Sequence, residues 1–244
     1  MEETKNSRRH IIDVKTLELS QPGFANGIST QLQKVISKGE NRSLNDEEKQ
    51  EIIENAAEKF GEFLEALGVD WKNDPNSMET PIRVAKKYVN DTWKGRYNIP
   101  PNIATFPSDH YSGLITECNI PLTTSCTHHH ESILGKVHIS YIPSPEGEVI
   151  GLSKMNRIVE HFGRRGAIQE QLTMAIHQAI DKVCTGNMGV AVQVVATHQC
   201  VSCRALNHKG SSMVTTKLSG NFETRPEVRN EFFDAIKSSY MSKG

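Results

Sequence analysis

Apolar positions recur at helical spacing in the first half of the chain and in alternation over parts of the second. Ile52, Ile53, Ala56, Phe60, Phe63, Leu64 and Leu67 share one stripe of a 3.6-residue period, which predicts a helix. Asn45 with Glu48 three residues later makes a capping-box pattern at its start, and Gly68 ends it. A second helix is punctuated by Thr80 as N-cap, Pro81 at the first helical position and Gly95 beyond the end. Lys136-Val-His-Ile-Ser-Tyr-Ile142 alternates with the period of a strand and sets Val137, Ile139 and Tyr141 on one face. Ser153 opens a further helix, and Ile168 to Val183 carries another stripe through Leu172, Ala175, Ile176 and Ala179, ending at Gly186. Gly189 to Ala196 reads as a buried strand and Ser212 to Leu218 as its hairpin partner. Pro226 begins a closing helix with Val228, Phe232 and Ile236 inward.

This order, helices and then β-β-α-α-β-β, describes an α+β fold in which helices cover an antiparallel sheet. Residues 1–42 are polar and mixed in sign, and Pro22, Gly23, Gly27 and Gly39 break any long pattern. They are read as a flexible N-terminal arm, with a short helix near Ile28–Ile36. Residues 43–107 form an N-terminal helical region whose last tract holds Pro100, Pro101 and Pro107 and leads into a second region, 108–244.

Length and charge narrow the function. A chain of 244 residues can bury a substantial core as one large domain or a domain with an appendage. With 28 Lys and Arg against 29 Asp and Glu, the net charge of -1 gives no whole-chain basis for binding nucleic acid or an anionic membrane. No apolar run approaches the length of a membrane span, and Met1-Glu2-Glu3-Thr4-Lys5 does not begin a signal peptide. The five cysteines are an odd set at irregular spacing. The reading is a soluble protein of the reducing cytoplasm whose thiols serve metal rather than disulfides.

The strongest candidate chemistry is Cys126-Thr127-His128-His129-His130 read together with His198-Gln199-Cys200. Thiolates and imidazoles are the ligands zinc prefers, and a Cys-x-x-His pair lets one tight loop supply two of them. Cys200, just past a buried strand, supplies a third, which leaves the fourth position open for water. His128 and His198 stand beside these ligands in sequence and are candidate proton carriers. A rival arrangement uses Cys200-Val-Ser-Cys203 to close a four-ligand structural zinc with no open position. Spacing alone does not separate the two.

Arg83 and Lys86 lie three apart near the positive end of the second helix, and Lys154 with Arg157 repeats that arrangement after Ser153. Each pair alone reads as a solvated helix face. Taken with Arg204 after the ligand strand, they fit a highly anionic substrate such as a nucleoside triphosphate. Gln169-Glu170 begins a helix, where Glu is common for dipole reasons, and a Glu facing a pocket can accept the paired N–H groups of a guanine edge. His138, His161 and His177 fall within strand or helix patterns and are read as structural or exposed. Cys118 and Cys184 read as core thiols.

These residues resemble the GTP cyclohydrolase I family. The matching pieces are Thr80-Pro-Ile-Arg-Val-Ala-Lys86, Ser125-Cys-Thr-His-His129, Gly135-Lys-Val-His-Ile-Ser-Tyr-Ile-Pro143 and Gly151-Leu-Ser-Lys-Met-Asn-Arg-Ile-Val159. Gln169-Glu170-Gln-Leu-Thr173, His198-Gln-Cys200 with Arg204, and Arg229-Asn-Glu-Phe-Phe233 follow in the family's order. The resemblance implies a tunnelling fold over 108–244 with helices on one face of the sheet, joined into stacked rings. The expected assembly is a homo-oligomer, typically a decamer, with active sites at subunit junctions. It implies Zn2+ on Cys126, His129 and Cys200, and acid/base roles for His128 and His198. Ser153, Lys154, Arg157, Arg83, Lys86 and Arg204 are expected to contact the triphosphate, and Gln169 with Glu170 the guanine.

The reaction implied is attack of zinc-activated water on C8 of GTP, with His198 protonating N7 as the five-membered ring opens. Formate leaves, the ribose rearranges with help from Ser153, and 7,8-dihydroneopterin triphosphate closes. The same fold with another purine or pterin substrate is the alternative. Three positions depart from the family: Thr127 stands where a Glu is usual, His130 replaces an apolar residue, and Ala205 replaces a glycine. Thr127 removes a negative charge near the metal, and His130 adds a potential competing ligand.

Overall fold

A four-stranded antiparallel sheet organises one of two units in the computed structural model, which describes residues 11–12, 43–203, 208 and 210–241. That unit comprises Ile11–Ile12, Pro101–Gly163 and the described residues from Ala167 onward; the other comprises 43–100 with Arg164–Gly166. The strands are β1 (Ile11–Ile12), β2 (Ile103–Pro107), β3 (Ile115–Ser125), β4 (Ser132–Ile142), β5 (Glu148–Ile150), β6 (Gly189–His198) and β7 (Met213–Leu218). The main sheet runs β3-β4-β6-β7, and β1-β2-β5 form a small second sheet.

Register decides what meets what. The β3–β4 hairpin pairs Ser125 with Ser132, and β4 pairs with β6 so that Ile133 lies opposite His198. The hairpin turn and the end of β6 are therefore neighbours at one end of the sheet. β3 slips register between Glu117 and Ile120, where Asn119 takes the left-handed backbone at φ 62. That bulge interrupts the alternation and explains why the sequence pattern does not announce β3.

Two helices, α4 (Leu152–Gly163) and α5 (Gln169–Val183), cover one face, with α4 against β3 and α5 against β6 and β7. Val137, Val194 and Thr215 sit side by side across three strands and face α5, where Thr173 meets Thr215. The next row, His138, Gln193 and Thr216, points the opposite way. There His138 meets Tyr240 of α8 (Pro226–Met241), after the short α6 (Gln199–Ser202) and α7 (Asn221–Thr224). This corrects the expectation of helices on one face only. Ile142 and Ala191 bring apolar side chains to the second face, and Phe222, Val228, Phe232 and Ile236 cover them in a separate core.

The helical unit holds α1 (Asp46–Ala66), α2 (Thr80–Lys87), a π-helical turn (Tyr88–Thr92) and α3 (Lys94–Tyr97). Its core is Leu44, Ile52, Ile53, Ala85, Val89 and Tyr97. The expected capping box is present: Glu48 N–H donates to Asn45 Oδ1 at 2.8 Å and Asn45 N–H to Glu48 Oε2 at 2.9 Å. Gly61 permits a close crossing, since a Cβ there would lie 2.7 Å from the Trp71 ring whose Nε1 donates to Gly61 O. α2 begins one residue before expectation. Thr80 is already helical, and Glu79 occupies the cap position without a side-chain bond. Pro81 fits either of the first helical positions, so the sequence punctuation does not fix the register of the start. No helix among the described residues is long and apolar enough to cross a membrane.

Candidate metal centre

The hairpin turn after β3 is closed by two backbone bonds, Cys126 N–H to Glu131 O at 2.8 Å and His130 N–H to Cys126 O at 2.9 Å. His130 takes the left-handed corner at φ 57, a conformation histidine tolerates better than most residues with a side chain. The turn buries Cys126 and leaves Thr127, His128, His129 and His130 exposed. Across the sheet, β6 ends at His198, and the chain turns directly into α6, which carries Cys200. The pairing of Ile133 with His198 is what brings Cys200 to the hairpin turn.

The result is one donor cluster. A ligand atom from each of Cys126, His129 and Cys200 lies within 4.8 Å of the other two. Zinc–sulfur and zinc–nitrogen bonds of 2.0–2.3 Å give tetrahedral edges of about 3.5–3.8 Å, so modest side-chain closure would seat an ion. Two thiols and an imidazole are the donor set zinc favours. Cys126 is buried, Cys200 half-buried and His129 exposed, so the cluster opens to solvent on one side. The rival four-ligand closure is not formed: Cys203 is exposed, outside the cluster, and its thiol donates to Gln199 Oε1. His130 is likewise outside the cluster.

His198 and Gln169 form the best-defined polar contact beside these ligands. His198 Nε2 lies 2.8 Å from Gln169 Oε1. Gln169 is 1% exposed, and its Nε2 donates to Val194 O at 3.2 Å, Met213 O at 3.0 Å and Thr215 Oγ1 at 3.1 Å. Thr173 Oγ1 donates to Gln169 O at 2.8 Å and lies 2.7 Å from Thr215 Oγ1. The amide nitrogen of Gln169, a residue expected to contact the guanine, thus donates within the protein. Glu170, next to it, is exposed and remains available to a ligand. Burial pulls the His198 pKa below its ordinary value, with the Glu170 carboxylate opposing.

The other expected residues distribute as follows. His128 is exposed, its ring centroid 6.3 Å from that of His129. Ser153 and Arg157 are exposed on the first turns of α4, where Lys154 N–H donates to Gly151 O at 2.7 Å. Arg83 and Lys86 lie on α2 of the helical unit, where Arg83 pairs with Glu79. Arg204 and Ala205 fall outside the described residues, as does the expected helix near Ile28–Ile36.

Sequence reasoning missed the threonine support beneath Gln169. Its signal was present: Thr173 follows Gln169 by one helical turn, and Thr215 is a polar residue on the inward row of β7. His138 and His177 are buried and structural: His138 Nε2 lies 3.2 Å from Tyr240 Oη, and His177 Nε2 lies 3.0 Å from Ser219 Oγ.

Fold and donor set define a mixed α/β protein with a single Cys-His-Cys cluster, among the described residues, suited to one metal ion. The chain belongs to the GTP cyclohydrolase I family, whose model matches residues 56–237. A protein named GTP cyclohydrolase 1 from Aeromonas salmonicida is 39% identical over 197 residues, covering 80% of this chain and 87% of the relative. The protein of that name from Flavobacterium johnsoniae is 40% identical over 196 residues, 80% of this chain and 84% of the relative. That from Pseudoalteromonas translucida is 39% identical over 180 residues, 73% of this chain and 95% of the relative.

Proposed function

We propose that this protein is a zinc-dependent GTP cyclohydrolase I of the cytoplasm, converting GTP and water to 7,8-dihydroneopterin triphosphate and formate. The observation that carries the reading is the convergence of Cys126, His129 and Cys200 on one open cluster in a chain of this family. A zinc ion held by these three residues would supply Lewis acidity that brings the pKa of water toward neutrality.

The chain's own residues do the rest. His198 gives a proton to N7 as the purine five-membered ring opens after water attack at C8, and His128 is the second proton carrier. The exposed Glu170 carboxylate accepts the N–H pair of the guanine edge. Lys154, Arg157 and Arg204 hold the triphosphate; Arg83 and Lys86 are assigned to it by their motif alone. Ser153 assists the ribose rearrangement. Holding both ends of the nucleotide keeps the reacting middle in place through successive steps.

The tunnelling fold and the division into a helical region, 43–107, and a catalytic domain, 108–244, belong to the same proposal. So does assembly into a homodecamer with sites at subunit junctions. Among the described residues β3 and β7 each pair on one side only, which supports sheets that continue from one copy to the next. The test is incubation of the zinc-loaded protein with GTP. Formate and a pterin that fluoresces after oxidation are expected, and absence of both from protein carrying a full complement of zinc refutes the proposal.

A further inference from the structure

Gln169 does not read as a substrate contact. It is 1% exposed, and a side-chain amide that faces two backbone carbonyls, Val194 O and Met213 O, has its orientation fixed, because carbonyls only accept. Reversing the amide would set its oxygen against both. Thr215 Oγ1 completes the donor side, and Thr173, which donates to the Gln169 carbonyl, accepts the Thr215 hydroxyl hydrogen. Every hydrogen in this network then has one consistent direction. Gln169 Oε1 must face His198 Nε2 as an acceptor, so Nε2 carries the hydrogen. Among the described residues Nδ1 has no partner, and it is the only ring nitrogen left to exchange a proton.

We propose that Gln169 is a positioning residue that holds His198 in its Nε2–H tautomer, so that His198 passes its proton to and from the purine through Nδ1. This rests on the reading of His198 as the acid/base residue. It separates Gln169 from Glu170: Gln169 orients the proton carrier, and Glu170 alone meets the base edge. The arrangement is that of a general acid oriented by a third group, with a neutral amide as the orienter.

The two roles predict opposite kinetics. For Gln169→Met, a positioning role lowers kcat by about tenfold or more, within the ~10²–10⁴ that placed proton transfer contributes. KM for GTP and the dissociation constant of a non-hydrolysable GTP analogue then stay within about twofold of wild type. In a His198→Ala background, followed under single-turnover conditions, Gln169→Met should cost nothing further. Thr215→Val removes one acceptor of the Gln169 amide while leaving Oε1 on Nε2–H, and should lower kcat less than Gln169→Met with KM unchanged; it also serves if the methionine variant fails to fold. A guanine-reading role instead raises KM and the analogue's dissociation constant about tenfold with kcat retained, and that result overturns the inference. An equal loss with and without His198, or Thr215→Val raising KM with kcat retained in folded, zinc-replete protein, overturns it too. Wild-type protein that holds zinc and releases no formate removes the functional reading itself, a failure distinct from these.

Discussion

His138 on β4 and His198 on β6 belong to the same sheet, and each presents Nε2 to one polar partner, Tyr240 Oη at 3.2 Å or Gln169 Oε1 at 2.8 Å. Their surroundings differ in what is left over. His138 is fully buried under α8; its Nδ1 accepts the Asn119 N–H at 3.3 Å, so both nitrogens are occupied by the fold. His198 is half-buried at the strand end beside Cys200, and among the described residues one nitrogen remains uncommitted. A histidine with both nitrogens satisfied inside the protein fastens elements together. One with a single nitrogen fixed and the other open can move a proton in a defined direction. The sheet carries one of each, on opposite faces.

The largest effects should come from the open side of this pair. Cys126→Ala should reduce bound zinc to a small fraction of one per chain and abolish formate release, whereas Cys203→Ser should keep both. Metal analysis of the two purified variants checks this, and the reverse pattern would restore the closed four-ligand site. Next in size, His198→Ala should lower kcat by about 10²–10⁴-fold and cost the fold less than His138→Ala, since water can reach Gln169 Oε1 where the half-buried ring stood. His138→Ala should do the opposite. It should destabilise the fold by about 1–3 kcal/mol, because it leaves a cavity and unpairs the Asn119 N–H and Tyr240, with residual activity per folded molecule preserved. Thermal melts beside kinetics on both variants would erase the comparison if both moved each quantity alike.

Acid should act on the fold through the buried histidine of this pair. Burial, with Lys136 nearby, pushes the His138 pKa down to about 4 from 6.5. The unfolded chain therefore binds the proton more readily, and stability rises with pH across that window. The His138 contribution is fully present above about pH 6.5 and is lost as pH falls toward 4, by roughly 3 kcal/mol at most. His177, also lowered by burial, adds in the same direction. Denaturant melts between pH 7 and 4 should show wild type losing stability faster than His138→Ala; parallel curves would contradict the assignment. Smallest of all, Tyr240→Phe should cost about 1 kcal/mol or less, the value of one partly buried hydrogen bond.

Much of this contrast is legible in the sequence, and its limits have physical causes. The Asn45–Glu48 capping box and the alternation of Val137, Ile139 and Tyr141 are local patterns, and both appear in the structure where expected. Cys126, His129 and Cys200 could be picked out because metal ligands are restricted to few residue types, and strand pairing then brings them together. Strand β3 escapes notice because the bulge at Asn119 and Pro121 break its alternation. The second layer of helices is hidden for another reason. Ile142 and Ala191 are apolar whichever face they take, and only the paired register shows that they need cover from α8. Gln169 is the clearest lesson. A glutamine beside a glutamate at a helix start suggests ligand binding, and only the tertiary placement of Val194 O, Met213 O and Thr215 shows that its amide is already occupied.

The central claim is that the Cys126–His129–Cys200 cluster, with His198 beside it, opens the imidazole ring of GTP at C8. Turnover of GTP labelled with carbon-13 at C8, followed by carbon NMR on zinc-loaded protein, tests it most directly. The account predicts that the label leaves the nucleotide and appears as formate, one formate for each GTP consumed. Label retained in the purine, in protein with zinc bound at one per chain, would contradict it.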